Sequence, residues 1–276
     1  MYHYTIIQWL FFFYFYCFFG WCFESAYVSL KKRCFVNRGF MRGPFLPLYG
    51  SGAIMMLVVS MPFQDHLLLT YLAGCVGATL LEYVTGVTME ALFKVRYWDY
   101  SNQKFNFQGQ ICLSSTLAWG GLTVLMTEVI HKPVESLTFM IPSEVLSTVT
   151  ILLTGYIVSD FTLSFKAAMD LRDILVKMEK ARAELVHLQK RLDVLIAVSA
   201  SEWEERKQMR ELKAEELRES LGERLNICKL MLQEKRAEFL KSAYRKSQIL
   251  GNPGMISGKF KEVLEELKEA ARDKKK

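Results

Sequence analysis

LLLTYLAGCVGATLLEYVTGVTMEALF, residues 67–93, holds no lysine or arginine and two glutamates, Glu82 and Glu90. A helix rises about 1.5 Å per residue and a hydrocarbon core is about 30 Å thick, so the stretch is long enough to cross a bilayer. Glu82 stands 12 residues before Lys94. That is about 18 Å of helix, which puts its carboxylate near the midplane. An isolated charge at that depth costs at least about 2.5 kcal/mol, so it calls for a functional or structural reason. Glu82, Gly86 and Glu90 follow one another at i, i+4 and i+8 and share a face, with Thr79 beside them. Gly74, Gly77 and Ala78 are small enough to let another helix come close.

Four further apolar stretches flank this one: Thr5–Leu30, Phe45–Met61, Ile111–Ile130 and Val145–Phe165. All but Phe45–Met61, which has 17 residues, reach the length of roughly 20 that a crossing needs. The pattern predicts an all-α, polytopic membrane helix bundle of about five transmembrane helices. Glu24 and Asp160 add carboxylates to the first and last spans. Met1–Tyr4 carries no Lys or Arg and the apolar run continues through Phe23, so the N-terminus reads as a retained span rather than a cleaved signal peptide.

Charge divides the chain. Residues 1–165 carry nine Lys/Arg and nine Asp/Glu, and the last 111 residues carry 26 and 20, so the net charge of +6 belongs to the tail. The division predicts a transmembrane domain over 1–165, a coiled coil or helical hairpin over 166–250, and a linker with a short basic helix over 251–276. Within the membrane region, Lys31, Lys32, Arg33, Arg38 and Arg42 follow the first span, and Lys94, Arg96 and Lys104 follow the third. The connections on the other side hold only Lys132. The positive-inside rule then predicts a multi-pass cell-membrane protein with its N-terminus outside and its tail in the cytoplasm.

In the tail, Leu171, Met178, Leu185 and Leu192 recur every seven residues, with Ile174, Ala181, Leu188 and Leu195 as the second seam. A break is expected near Ser199–Ser201, where Ser201 and Glu204 fit a capping box. The second helix is expected to end before Gly251-Asn252-Pro253-Gly254, and a last helix to start near Lys259. The stripe serves equally for a hairpin within one chain and for a coiled coil between chains. Acids are interleaved with the bases and no recognition motif occurs, so nucleic acid is not an expected partner. The six cysteines form no C-x-x-C pair, and neither a metal site nor a cofactor is expected.

Two polar loops abut the carboxylate-bearing ends of the first and third spans. Residues 38–52, RGFMRGPFLPLYGSG, are dense in Gly and Pro, and residues 97–112 read YWDYSNQKFNFQGQIC. Irregular backbone at membrane depth is tolerated where it lines a cavity or packs in protein. The expectation is one cytoplasm-facing pocket, with Arg38, Arg42 and Arg96 opposing Glu24, Glu90, Asp99 and Asp160. Glu82 lies deeper, and Asn106 belongs to the second loop.

Those residues carry a resemblance. Gly20-Trp21 with Glu24, Arg38-Gly39-Phe40 with Gly43-Pro44, Pro47, Tyr49-Gly50, Glu82-Tyr83 with Glu90, and Trp98-Asp99-Tyr100-Ser101 with Asn106 and Gly109 stand in an order and spacing that resemble the CmpB-like family. The likeness spans roughly residues 5–165. That family bears the label "putative ABC-transporter type IV", which implies a polytopic membrane protein with a part in transport. The chain holds no G-x-x-x-x-G-K-[ST], so an ATPase in such a system would be a separate chain. The expected function is a permease-like transport component, not an enzyme, embedded in the lipid bilayer and open to self-association through its spans or coiled coil. The alternative is a membrane-anchored scaffold or signalling protein acting through the tail. A lipid-modifying enzyme is the weakest reading, because no nucleophile–base pair stands at a recognisable spacing.

Overall fold

The computed structural model describes residues 4–63, 65–201 and 207–273. Helix α1 spans Ile6–Lys32 and opens on a capping box, in which Thr5 Oγ1 accepts from Gln8 N–H and Gln8 answers on Thr5 N–H. It ends at Arg33 in the left-handed region. Helix α3, Leu67–Phe93, has the same length of 27 residues and ends the same way, at Lys94. Both helices finish at one end of the bundle, which gathers Lys31, Lys32, Arg33 and Lys94 and is here the basic end.

Four helical stretches are long and apolar enough to cross a membrane: Ile6–Lys32, Leu67–Phe93, Leu113–Met140 and Ser143–Val194. Their outer faces carry large apolar side chains, among them Val76, Leu80 and Leu152, as a lipid-facing surface requires. The stretch Leu113–Met140 comprises α4 (Leu113–Leu125), a π turn at Met126–Ile130 and α5 (His131–Met140).

The second predicted span takes a different form. Helix α2, Pro47–Ser60, has 14 residues, about 21 Å, and continues as a single 3-10 turn to Phe63. Pro47 sits at its start, where a missing N–H costs nothing, and the chain before it is irregular. That irregular stretch folds back along α1: Leu46 N–H donates to Cys17 O, and Met41, Phe45 and Leu46 are buried, the first two against Tyr14, Cys17 and Ile157. Cys17 lies 15 residues, about 22 Å, from Lys32. Residues 40–46 therefore run deep alongside α1 before α2 begins, and α2 returns antiparallel to α1 with Met56 and Leu57 packed in one cluster with Phe12.

A similar return follows α3. A two-stranded ladder, β1 (Asn106–Phe107) and β2 (Ile111–Cys112), closes the loop and hands the chain to α4. The fourth predicted span thus begins with two extended residues, Ile111 and Cys112, before its helix starts.

Helix α6, Ser143–Ser201, is one continuous helix of 59 residues, so the change of composition at residue 166 falls inside a helix. Helix α7, Lys207–Phe239, packs against it through Leu188, Leu221 and Leu225. The expected capping box reaches Glu204, which lies outside the described residues. Helix α7 ends before Gly251, as expected, but already at Phe239, and a separate short helix fills the interval. Phe239 and Leu240 turn into a core with Leu171, Leu175, Val263, Leu264 and Leu267, and the chain breaks there before α8, Ala243–Leu250. Helix α9, Lys261–Asp273, is amphipathic and seats its apolar face in the same core.

Candidate functional site

Their hydrogen bonds sort the sequence-expected residues into four small groups. In the first, Glu24 on α1 accepts from Arg38 Nε at 3.2 Å on Oε1 and from Tyr49 hydroxyl at 2.8 Å on Oε2. This pair is mostly buried, with 17% and 22% of the two side chains exposed. Arg38 also donates to Asn252 Oδ1 at 2.8 Å and to Gly251 O.

The second group lies at the end of α3. Glu90 accepts from Arg96 Nε at 2.7 Å and from Gln110 Nε2 at 2.6 Å. Asp99 faces Arg96 at 3.6 Å and also accepts from the backbone N–H and the hydroxyl of Ser101. Asn106 donates to the carbonyls of Ser101 and Gln103 and accepts from Gly109 N–H, so it fastens the loop on itself. In the third group, Asp160 on α6 is buried and accepts from Gly43 N–H at 2.9 Å. The Arg42 guanidinium lies 5.2 Å over the Tyr244 ring. Burial and the nearby Asp160 carboxylate together raise the Tyr244 pKa.

Glu82 makes up the fourth group. It is 5% exposed, and three donors converge on it from residues beyond its own helix. Tyr100 hydroxyl reaches Oε1 at 2.9 Å, while Trp119 Nε1 and Ser115 Oγ reach Oε2 at 2.9 and 3.3 Å. Among the described residues no lysine or arginine pairs with it. The loop after α3 delivers Tyr100 by folding back along the helix: Tyr83 hydroxyl donates to Gln108, Trp98 Nε1 to Gln110 O and Tyr100 N–H to Gly109 O. Burial raises the Tyr100 pKa and the Glu82 and Glu24 charges raise it further, so the phenol stays protonated at neutral pH. Tyr97, buried in the core of the basic end, is raised by desolvation as well.

Residues 11–165 match the family described as "Putative ABC-transporter type IV". The chain belongs to that family. Comparison with curated proteins finds no match, and neither does comparison with solved structures. In this member of the type IV family, the matched segment holds the carboxylates of all four groups, while Tyr244, Gly251 and Asn252 and the helical arm formed by the far part of α6 with α7 lie beyond it.

Three kinds of participant were not among the expected site residues. Tyr49 and Tyr100 stand in the sequence as loop aromatics within the family-like motifs, and nothing there says that each donates to a carboxylate. Ser115 and Trp119 sit inside an apolar span, where a tryptophan reads as an interfacial anchor. The third is the segment around Gly251-Asn252, which reads as a linker. It is instead docked on the basic end: Arg96 and Ile256 exchange both backbone hydrogen bonds, Ser257 Oγ donates to Lys94 O, Asn252 Nδ2 to Gly39 O and Gln248 Nε2 to Phe40 O. Both loops of this type IV chain are thus tied to one stretch of its C-terminal region. Among the described residues no group of three His, Cys, Asp or Glu is gathered to hold a metal ion.

Proposed function

We propose that this chain is the membrane-embedded component of a transport system, with Glu24, Arg38, Tyr49, Tyr100 and Glu82 along the route taken by the transported solute. The observation that carries the reading is Glu82: a carboxylate deep in an apolar helix, held by neutral donors from two other elements rather than by a cation. The two returning loops support it, since irregular backbone at membrane depth belongs beside cavities or packed protein. So does the broken second element, because discontinuous helices at the site are common in transporters.

In this reading α2 and the irregular residues before it make one crossing together. Five crossings then put the N-terminus outside and the basic end in the cytoplasm, in line with the distribution of Lys and Arg. The chain has no P-loop, so nucleotide hydrolysis belongs to a separate chain that meets the basic end or the arm. A cysteine placed at Ser115 tests the route, measured against the native chain with its own six cysteines. A water-soluble thiol reagent should modify it from the basic side of sealed membranes. Lack of reaction from either side would make the cluster a sealed structural core and remove the proposal.

A scaffold reading draws on a different observation, the uninterrupted 59 residues of α6 that join membrane and arm. Matched deletions that shorten α6 beyond Leu185 and α7 before Leu232 separate the two. If partner capture is lost while Ser115→Cys keeps its reactivity, the arm is the functional part.

A further inference from the structure

The membrane region contains the same construction twice. Helices α1 and α3 have equal length and equal left-handed ends, and each is followed by a returning loop and an antiparallel helix, α2 or α4. In the first unit a Cβ on Gly50 would run into Cys17 Sγ, and in the second a Cβ on Gly120 would run into Cys75 Sγ. Seven residues after each cysteine comes a glutamate, Glu24 or Glu82. The residue before each glycine is an aromatic, Tyr49 or Trp119, and it donates to one oxygen of that glutamate, at 2.8 and 2.9 Å. Five features (helix length, helix end, cysteine–glycine contact, glutamate spacing and aromatic donor) thus agree between units that share little other sequence.

The units differ at the other carboxylate oxygen. In the first it accepts from the Arg38 guanidinium; in the second it accepts from the Tyr100 hydroxyl. A guanidinium is a donor only and carries a full positive charge, so it suits a carboxylate that stays ionised. A phenol is neutral and both donates and accepts. If a proton arrives on the Glu82 oxygen, that O–H can donate to the Tyr100 oxygen once the phenol proton turns away. The second oxygen keeps its donors from Trp119 and Ser115. Glu24 also meets a phenol, Tyr49, but the Arg38 charge on its other oxygen holds that carboxylate in its ionised form.

We propose that α1–α2 and α3–α4 are two copies of one carboxylate-bearing hairpin, and that in the second copy Glu82 is a reversible proton-binding site. The proposal deepens the transport reading by naming a proton as one of the species this site takes. A metal ion fits poorly, since it needs several free oxygen lone pairs and the groups around Glu82 point hydrogens at it. The groups that face Glu82 are Tyr100 from the loop after α3 and Ser115 and Trp119 from α4. Beyond Tyr100 stands Glu24, paired with Arg38 and Tyr49. Protonation adds one hydrogen ion to one carboxylate oxygen and breaks no covalent bond.

The test is an infrared pH difference on the full chain in lipid nanodiscs, scanned from about pH 4 to about pH 9 to cover the shifted range of buried carboxyls. The native protein should show a protonated-carboxyl carbonyl band that is missing from Glu82→Gln and retained in Glu24→Gln. As a second readout, Trp119 emission should change with pH in a chain that keeps Trp119 as its only tryptophan, and that change should vanish with Glu82→Gln. A carbonyl band identical in native and Glu82→Gln protein would overturn the proposal, as would Trp119 emission that is flat with pH or titrates equally in both. Neither readout involves a transported solute, so proton binding can fail while Ser115→Cys remains reactive, and the reverse can also occur.

Discussion

Two glutamates stand in similar settings with different partners, and the difference bears on which of them can change its charge. Glu24 and Glu82 each lie in a long apolar helix, seven residues after a cysteine packed on a glycine, and each accepts from an aromatic donor. Glu24 is neutralised by Arg38, which is in turn fixed by Asn252 and Gly251 of the C-terminal region. Glu82 has only neutral donors. A fold that can neutralise a buried carboxylate with an arginine once, and does not do so the second time, leaves the second carboxylate able to change its charge. The first is tied through Arg38 to the C-terminal segment at Gly251 and Asn252.

The largest effect should come from the arginine that marks this difference. Arg38→Ala leaves Glu24 as a mostly buried charge without a cation and takes a partner from Asn252. Removing one member of a buried pair costs about 3 kcal/mol, with the lower end of that class expected here because water still reaches part of the pair. Thermal unfolding in detergent measures it. An Arg38→Ala protein as stable as the native one would mean that the first unit does not depend on its charge balance.

A smaller effect tests whether the two units are equivalent. Gly50→Ala and Gly120→Ala each force a methyl against a cysteine sulfur, and overpacking of this kind costs about 1–3 kcal/mol. Both should be measurable losses, the Gly50 one the larger because its methyl also meets the Phe13 carbonyl oxygen, and they should add in the double variant to within about 0.5 kcal/mol. A large loss at one glycine and none at the other would break the equivalence.

The long helices were legible because hydrophobic length is a direct physical requirement of the bilayer. Leu67–Phe93 could be placed to the residue, and the depth of Glu82 followed from counting turns. Phe45–Met61 reads as the short span and its first residues as part of an irregular Gly/Pro loop, but its apolar residues do not show that Phe45 and Leu46 pack beside Cys17. Pro44 and Pro47 mark that irregular stretch in the sequence. Within the site, the sequence sets three arginines against four carboxylates without assigning pairs, and Arg38 pairs with Glu24. Arg96 and Glu90 pair as well, but as a separate group, because the loop after α3 brings its own partners, Gln110 and Asp99. Trp119 and Ser115 were illegible for a simple reason. A hydrogen bond across helices depends on which faces meet, and composition does not encode that. The docking of residues 251–257 on both loops was hidden likewise, since Gly, Asn and Pro read as linker whether the backbone is free or bonded.

The most direct measurement of the central claim is the thermal stability of Glu24→Gln beside that of Glu82→Gln, in the full chain at neutral pH. Glu24→Gln should destabilise the protein by about 2–3 kcal/mol, because it strands the Arg38 guanidinium. Glu82→Gln should change stability by less than about 1 kcal/mol, because the amide oxygen can accept from Trp119 and Ser115, the amide NH2 can donate to the Tyr100 oxygen, and the burial cost of the charge is gone. The opposite order, with Glu82→Gln the more damaging, would contradict the account: Glu82 would then be the structural carboxylate, and Glu24 the one to examine for function.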